Sequence, residues 1–275
     1  MKFDMNGPLV SINLTTKNRA YLLKECIDSI LIQTYKNIEL IIVDDGSTDN
    51  TSKVINSYKE ILKIRYIRNN NSKGNASARN SALKVSNGKY IAFMDDDDFW
   101  NDKDKIKKQV DILENQNEIV MVYTEIYMLN ENANTKIHIR LTEPKSLIKQ
   151  FLVKNSLIYS PTVLIRKSIF DLVGEFDEQV KKGVDSSLYR KIIIQFSKNI
   201  KLLNEPTTTI RIHDGERMTV SKSLNTLFNS MYSHYYILKN YKKLFLKYPI
   251  QLLIRLSRLL NAFIKYMYFK IFKNK

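Results

Sequence analysis

Short apolar runs alternate with helical patterns through the first hundred residues of the chain. The segments Leu9–Leu14, Ile38–Val43 and Tyr90–Met94 are rich in apolar residues, which predicts three short buried strands. Between them, apolar side chains recur at helical spacing over Ala20–Gln33 and, more weakly, over Ala76–Val85. This alternation predicts an α/β fold whose mainly parallel central sheet is flanked by helices.

The second half of the chain adds weaker patterns. Pro161–Arg166 and Thr207–Ile212 are predicted as strands, and Ser187–Phe196 is predicted as an amphipathic helix. The stretch Glu125–Gln150 shows no clear periodicity. The elements of this half are therefore predicted only in part.

Charge divides the 275 residues into two parts. The formal net charge is +16, yet Glu216 is the last acidic residue, and the 59 residues from Arg217 to Lys275 contain 12 Lys and Arg. We therefore predict a near-neutral domain over residues 1–216 and a basic, amphipathic helical region over 217–275. The single cysteine, Cys26, excludes an internal disulfide framework and is predicted to lie in the core. The first ten residues lack the apolar segment of a secretory signal, so a cytoplasmic location is expected.

Acidic residues follow two of the predicted strands directly. The second strand precedes Asp44 and Asp45, and the third precedes Asp95–Asp98. Because parallel strands bind ligands at their carboxyl ends, we expect these acids to meet at one edge of the sheet. Four consecutive aspartates repel one another unless a cation or donor groups compensate them, and carboxylate oxygens suit Mg²⁺ or Mn²⁺. A solvated acidic loop, or a cap for a helix that begins near Asp104, is the alternative interpretation.

The paired acidic clusters favour a nucleotide as the ligand. One cluster would accept hydrogen bonds from a base or ribose, while the other would hold a metal ion on the diphosphate. Arg79, on the intervening helix, could supply a matching donor. The chain has neither a Gly-x-Gly-x-x-Gly turn after its first strand nor a Gly-Lys-Ser/Thr loop, so the dinucleotide and P-loop fingerprints are absent.

Five segments, in this order and at this spacing, resemble the family 2 glycosyltransferases of the GT-A fold. These segments are Val10–Arg19, Asp28–Tyr35, Glu39–Asp49, Ala78–Asn80 and Gly88–Asp98. Ser160–Glu178 is similar to the acceptor-side segment of that family, so the resemblance covers about residues 9–215. It implies a Rossmann-like nucleotide-binding domain that transfers a sugar, with inversion, from a nucleotide diphosphosugar with the help of Mn²⁺ or Mg²⁺.

The resemblance also implies roles for individual residues. Asp185 matches the general base of the family, and Asp95 and Asp97 match the ends of its Asp-x-Asp motif, with Asp97 as the direct metal ligand. His213 matches a position that completes the metal or diphosphate site. The implied contacts to the nucleotide sugar are Thr15, Thr16, Asn18, Arg19, Asp44, Asp45, Arg79, Asp95 and Asp96.

Each of three residues has an alternative interpretation. Asp185 could cap a helix that starts near Ser187. His213 could be an ordinary histidine of a surface turn. Trp100, just after the acids, could either pack in the core or stack under a sugar.

The segment Pro249–Phe272 is rich in apolar residues, but four basic residues interrupt it, so no span of about 20 apolar residues exists. On a helix, the basic residues fall within an arc of about 140° and leave a broad apolar face, a pattern typical of interfacial helices. They are Lys247, Arg255, Arg258, Lys265, Lys270 and Lys273. We predict that this region binds an anionic membrane surface. A helix docked on the catalytic domain, or on a second subunit, is the alternative.

The predicted function is that of a hexosyl- or N-acetylhexosaminyl-transferase that uses a UDP-sugar. The enzyme would extend a lipid-linked or cell-surface glycan in the cytoplasm, peripherally associated with the inner face of the cell membrane. A homo-oligomer is compatible with the sequence, whereas no segment resembles a nucleic-acid-binding module.

Two other functions compete with this prediction. A sugar-nucleotide nucleotidyltransferase would share the acidic metal site, but such enzymes usually start with a Gly-rich basic loop, and here Thr15–Asn18 follow the first strand without a glycine. A catalytically inactive scaffold that binds a membrane or a partner is the other candidate. The presence of both Asp97 and Asp185 disfavours it.

Overall fold

The structure is a computed structural model, and it describes residues 7–154, 157–180, 183–212 and 224–272. The strands are β1 (Val10–Thr16), β2 (Ile38–Asp44), β3 (Ile64–Arg68), β4 (Tyr90–Asp95), β5 (Phe99–Trp100), β6 (Met121–Asn130), β7 (Thr135–Ile139), β8 (Leu164–Arg166) and β9 (Ile200–Ile212). The α-helices are α1 (Ala20–Leu31), α2 (Thr51–Ser57), α3 (Asn75–Val85), α4 (Lys105–Asn115), α5 (Leu147–Val153), α6 (Ile169–Val173), α7 (Val184–Phe196), α8 (Leu224–Asn240), α9 (Lys242–Lys247) and α10 (Pro249–Phe272).

The first half of the sheet is parallel, as predicted. Its strand order is β3-β2-β1-β4, and helices form the crossovers between these strands. Helices cover both faces, so the central residues of β2, Leu40–Val43, are all apolar. Ile42 belongs to the core cluster that contains Leu23 and Ile27 of α1, while its neighbour Ile41 packs with Ala78 and Ala82 of α3.

The second half makes the sheet mixed. β8 is antiparallel to β4 and β6, β9 is parallel to β6, and β5 and β7 add antiparallel edges. The predicted strand Pro161–Arg166 is shorter than expected, because Ser160–Thr162 forms a 3₁₀ turn before β8. The strand predicted to begin at Thr207 already begins at Ile200 and passes an irregularity in its pairing with β6 near Pro206.

Trp100 and Cys26 both lie in the core. Trp100 is only 1% exposed, and its indole N–H donates to the carbonyl oxygen of Pro161 at 2.8 Å. The ammonium of Lys105 lies 4.5 Å from the centre of the indole ring. Trp100 therefore packs and does not offer a face to a sugar, which decides between its two interpretations. Cys26 is buried, as predicted.

The C-terminal helices pack on each other and on the preceding domain. α8 and α10 run antiparallel, since the ring of Phe228 near the start of α8 lies 6.1 Å from that of Tyr266 near the end of α10. Ile237 and Phe245 pack against Leu152 of α5 in one apolar cluster. The boundary predicted after residue 216 lies outside the described residues.

Arg255 corrects the predicted basic face of α10. Its side chain is fully buried, and its guanidinium donates to the carbonyl oxygens of Phe151, Leu152 and Lys154 at 2.7–3.2 Å. These carbonyls belong to the last turn of α5, where backbone acceptors lack helical partners. Burial lowers the pKa of Arg255 to about 9. Arg255 thus docks α10 on the domain and is not available to a membrane.

In the part of the chain that the structure describes, none of the helices is both long enough and apolar enough to span a bilayer.

Candidate active site

The carboxyl ends of the parallel strands bring the predicted acids together. β1 lies between β2 and β4, and its residues Thr16 and Thr15 are in register with Asp44 and Asp95, respectively. The acids therefore border β1 on both sides, at the edge where ligands bind in such sheets. The expectation that the two clusters share one edge is confirmed.

The turn after β4 is fixed to its surroundings by its own aspartates. The backbone N–H of Asp98 donates to the carbonyl oxygen of Asp95 at 3.1 Å, and the buried Asp98 carboxylate accepts the N–H of Arg211 at 2.9 Å. Arg211 also donates to the carbonyl oxygen of Asp97 at 3.4 Å. These contacts connect the acidic turn to β9.

Arg19 compensates two of the four aspartates. Its guanidinium Nη1 lies 2.8 Å from the carboxylate of Asp96 and 2.9 Å from that of Asp97. Asp96 is buried, and this burial raises its pKa to about 6, while Arg19 counteracts the rise and the charge of Asp97 adds to it. Asp97 keeps 15% of its side chain exposed. It can therefore face a ligand in the cleft while Arg19 lowers the repulsion within the cluster.

Arg79 connects the acidic turn to Asp185. The Arg79 side chain, buried in α3, donates to the Asp95 carboxylate, pairs with the Asp185 carboxylate and donates to the hydroxyl of Ser160 at 3.1 Å. The guanidinium also lies 5.5 Å from the ring centre of Phe176. Asp95 and Asp185 remain 29% and 30% exposed. The two carboxylates are thus held by one guanidinium, and both remain partly exposed to solvent.

Asp185 lies in the first turn of α7. The cap position of this helix belongs to Gly183, whose φ of +74° lies in the left-handed region. The capping role considered for Asp185 is therefore not the role it has. Its ion pair with Arg79 fixes the position of its carboxylate.

The carboxylate of Asp44 is fully buried and is hydrogen-bonded within the protein. Its carboxylate accepts the backbone N–H of Ser47 at 2.7 Å and the hydroxyl of Tyr66 at 2.8 Å. Arg68 lies 3.8 Å away. The neighbouring Asn18, with a φ of +52°, accepts the N–H of Thr48 at 2.7 Å and so ties the turn after β1 to the turn after β2.

Asp45, a predicted contact to the nucleotide, has donors within the protein for both of its oxygens. Its two oxygens accept hydrogen bonds at 2.6–2.9 Å from Asn69, Ser72, Lys73 and Gly74. Burial alone would raise the pKa of this carboxyl, but the four hydrogen bonds outweigh it and lower the pKa below its usual value. Asp45 is occupied in holding the loop between β3 and α3.

Replacement of Asp45 by asparagine is expected to destabilise the protein by roughly 2–4 kcal/mol, because an amide cannot accept all four charge-assisted hydrogen bonds. The stability that a carboxyl of lowered pKa contributes is present above its unfolded pKa of about 4 and is lost as the pH falls. The difference between wild type and Asp45→Asn should therefore be largest near neutral pH and shrink in acid. Urea unfolding at several pH values measures it, and a constant difference would contradict this role.

The remaining predicted residues have mixed outcomes. Thr16 is buried beside Asp44, and the Thr15 hydroxyl donates to Asn75 at 3.3 Å. His213 lies outside the described residues. Ser160 was not predicted as a partner of Arg79, since nothing in its local sequence marks it. Asn80 belongs to a segment that carries the family resemblance, but its bond to the backbone of Phe176, which holds the acceptor-side segment, was not predicted.

The acidic turn fits a divalent cation. Asp95 and Asp97 offer partly exposed carboxylate oxygens, which are the hard ligands that Mg²⁺ and Mn²⁺ prefer. Among the described residues, no three His, Cys, Asp or Glu side chains are grouped closely enough to form a complete ligand set. This arrangement matches a cation that is held by one or two carboxylates and completed by substrate phosphates.

Comparisons with known proteins agree with this geometry. Residues 11–174 match the family described as glycosyl transferase family 2. An uncharacterized glycosyltransferase of Rickettsia prowazekii (strain Madrid E) is 36% identical over 232 residues, which cover 82% of this chain and 70% of that protein. The UDP-Glc:alpha-D-GlcNAc-diphosphoundecaprenol beta-1,3-glucosyltransferase WfaP of Escherichia coli is 34% identical over 210 residues, covering 75% of this chain and 78% of that enzyme. WfgD of Escherichia coli, which has the same printed activity, is 33% identical over 167 residues, covering 61% of this chain and 64% of that enzyme.

Two solved structures share the fold. TarS of S. aureus in complex with UDP-GlcNAc matches with a TM-score of 0.66 and 21% identity, covering 84% of this chain and 66% of that one. The mannosyltransferase PcManGT of Pyrobaculum calidifontis, in complex with GDP-Man and Mn²⁺, matches with a TM-score of 0.64 and 18% identity, covering 95% and 75%. The chain thus spans just under two thirds of the TarS structure.

Proposed function

Since the chain belongs to glycosyl transferase family 2 and has the GT-A fold, we propose that it transfers a sugar from a nucleotide diphosphosugar to a hydroxyl of a lipid-linked or cell-surface glycan, with inversion. One observation carries the proposal. The guanidinium of Arg79 contacts both the carboxylate of Asp95, in the acidic turn, and the carboxylate of Asp185, on α7. A group that handles the donor diphosphate and a group that can take a proton therefore lie side by side.

The proposed donor is a UDP-sugar. We propose that Asp44, at the end of β2, contacts the base, as the family resemblance implies. The names of the E. coli relatives WfaP and WfgD specify UDP-Glc, and TarS binds UDP-GlcNAc. These likenesses favour uridine and a hexosyl or N-acetylhexosaminyl group.

Asp97 and Asp95 would hold Mn²⁺ or Mg²⁺, with His213 as a third candidate ligand. When bound, such an ion neutralises charge on the departing diphosphate. Arg19 adds positive charge at the same place, since its guanidinium already contacts Asp97. The likeness to a structure that contains Mn²⁺ supports this assignment.

Asp185 is the proposed general base. As the acceptor oxygen forms its bond to the anomeric carbon, the bond to the diphosphate breaks, and the hydroxyl proton passes to an oxygen of the Asp185 carboxylate. Arg79 orients this carboxylate through their ion pair. Because attack and departure take place on opposite faces of the carbon, the sugar changes its anomeric configuration.

The proposed acceptor is a lipid-linked glycan, because the names of WfaP and WfgD specify a diphosphoundecaprenol acceptor. An enzyme with such an acceptor works at the membrane surface. We therefore propose that the protein is cytoplasmic and peripherally associated with the inner face of the cell membrane.

A thermal-shift screen of nucleotides and nucleotide sugars, with Mn²⁺ and with EDTA, tests the donor proposal. A ligand at 100 times its dissociation constant stabilises the native state by about 2.7 kcal/mol. Uridine diphosphate and one UDP-sugar should raise the melting temperature by several degrees in Mn²⁺ and by less in EDTA. A screen in which adenine or guanine nucleotides stabilise the protein equally, or in which none does, would contradict the proposal.

A further inference from the structure

The side of α10 that faces away from the domain is strongly apolar and exposed. Nine large apolar side chains of this helix are between 37% and 67% exposed. They are Ile250, Leu253, Ile254, Leu256, Leu260, Phe263, Ile264, Tyr268 and Ile271. Soluble proteins rarely leave so many neighbouring apolar side chains uncovered, so this side is expected to meet a partner. We name these nine residues the outer face of α10.

The outer face lies opposite the docked face. At 100° per residue its members fill an arc of about 180°, whose centre is about 170° away from the buried Arg255. Ser257 and Asn261 are the polar residues within this arc, and neither is charged. The helix is about 36 Å long at 1.5 Å per residue. One helix thus packs on the domain with one side and presents a long apolar strip with the other.

Basic residues border this strip on both sides. Arg258 and Lys265 lie at one edge of the arc, Lys270 lies at the other edge, and all three are exposed. The sequence from residue 224 to residue 272 contains no aspartate or glutamate. An apolar face bordered by Lys and Arg, whose long side chains can reach headgroups, is the pattern of a helix that lies in a membrane interface.

We propose that the outer face of α10 is the surface by which this protein docks on an anionic bilayer, with α10 lying in the plane of the interface. Its apolar side chains would enter the boundary between headgroups and acyl chains, and Lys265 and Lys270 would contact anionic headgroups. This docking surface rests on the proposed function, since it is the surface that would meet the membrane holding the acceptor.

Charge favours a membrane over a second copy of the chain as the occupant. A symmetric dimer through this face would place its basic borders against each other, since the same surface is used on both subunits. No carboxylate from residues 224–272 would be present to pair with them. Anionic lipids supply negative charge along the whole strip.

The docked helices also contact the acceptor side of the site. The hydroxyl of Tyr236 in α8 donates to Asp177 at 3.1 Å, and Asp177 follows Phe176, on whose ring the Arg79 guanidinium lies. Arg255 and Arg258 fix α10 to the last turn of α5. A bilayer bound to the outer face would therefore have a fixed position relative to the Asp95–Asp185 pair.

Vesicle co-sedimentation of the full chain tests the proposal. The test variant is Leu256→Gln, Leu260→Gln, Ile264→Gln. The matched control is Ile32→Gln, Ile61→Gln, Leu172→Gln, which changes apolar residues of similar exposure outside the C-terminal helices α8–α10. On vesicles of phosphatidylcholine and phosphatidylglycerol, the test variant should lose at least about 100-fold in partitioning. The control should bind like wild type, and both should keep the nucleotide-induced thermal shift.

A second variant tests the charge independently, because it removes two positive charges and leaves the nine apolar residues of the outer face unchanged. Lys265→Gln, Lys270→Gln should weaken binding to the anionic vesicles on the order of tenfold, and added salt should reproduce this loss in wild type. Wild type that stays in the supernatant, or a test variant that sediments like wild type, would overturn the proposal. So would a wild-type dimer that the test variant converts to monomer without a change in vesicle binding. Vesicle binding needs no donor, so failure here leaves the proposed transfer reaction standing, and failure of the nucleotide screen leaves the docking surface standing.

Discussion

Replacing Asp185 by asparagine is expected to lower turnover by about 10²–10⁴-fold while donor affinity stays nearly constant. The amide has almost the same shape, and its oxygen can still accept from the Arg79 guanidinium, so the site should keep its geometry. It cannot take the proton of the acceptor hydroxyl, and the loss therefore belongs to the chemical step. Nucleotide release in the presence of acceptor measures turnover, and calorimetry with the nucleotide measures affinity.

The control for this prediction is Asp171→Asn, which changes an exposed acid on α6 in the same way. It should leave both quantities unchanged. If Asp185→Asn lost donor affinity in parallel with turnover, Asp185 would be a donor contact or a structural group. Unchanged turnover would remove it from the mechanism altogether.

Replacing Asp97 by alanine is expected to abolish the part of donor binding that depends on metal. A divalent cation at this position contributes several kcal/mol to the transition state, so turnover should fall by about 10³-fold or more. Arg19 keeps its contact with Asp96, which lies 2.8 Å away, so the turn should stay folded. The measurement is the thermal shift caused by UDP, with and without Mn²⁺, together with turnover.

Asp111→Ala is the matched control, since Asp111 is an exposed acid on α4. Its UDP-dependent shift should respond to Mn²⁺ as in wild type. Activity in EDTA that equals the activity in Mn²⁺ would refute a metal at Asp97, and so would a variant that still binds UDP more tightly with Mn²⁺.

Local patterns predicted the parallel half of the fold. Ile38–Val43 is mostly apolar because helices cover both faces of β2. The predicted strand ends one residue before the observed strand, which ends at Asp44. β6 and β7 lie in or near Glu125–Gln150, where no period was apparent, and their pairing partners β8 and β9 are far along the chain. β3 was missed as well, because two arginines interrupt its short apolar pattern at the sheet edge.

The site was predictable where strand ends determine it and unpredictable where distant side chains do. The acids could be placed at one edge of the sheet from the strand pattern alone. The role of Arg79 could not, because its partners Asp95, Ser160 and Asp185 come from three other segments. Asp45 likewise depends on a loop that starts at Asn69.

An apolar face on α10 was predicted, but the orientation of this helix was not evident from the sequence, and Lys247, which was counted on the same helix, lies in the separate helix α9. Arg255 was counted among the basic residues that meet a membrane, whereas the carbonyl oxygens at the end of α5 hold it inside the protein. Those acceptors lie about a hundred residues earlier in the chain. Which side of an amphipathic helix is covered depends on such partners, and the periodicity alone does not contain them.

Nucleotide release by the purified full chain, measured over a panel of nucleotide sugars with a diphosphoundecaprenol-linked acceptor, shows whether the protein is an inverting, metal-dependent UDP-sugar transferase. We predict release of UDP from one UDP-sugar, an increase with Mn²⁺, loss in EDTA, and a product whose new linkage has the anomeric configuration opposite to that of the donor. Release that is equal in EDTA, or a product that retains the donor configuration, would contradict it.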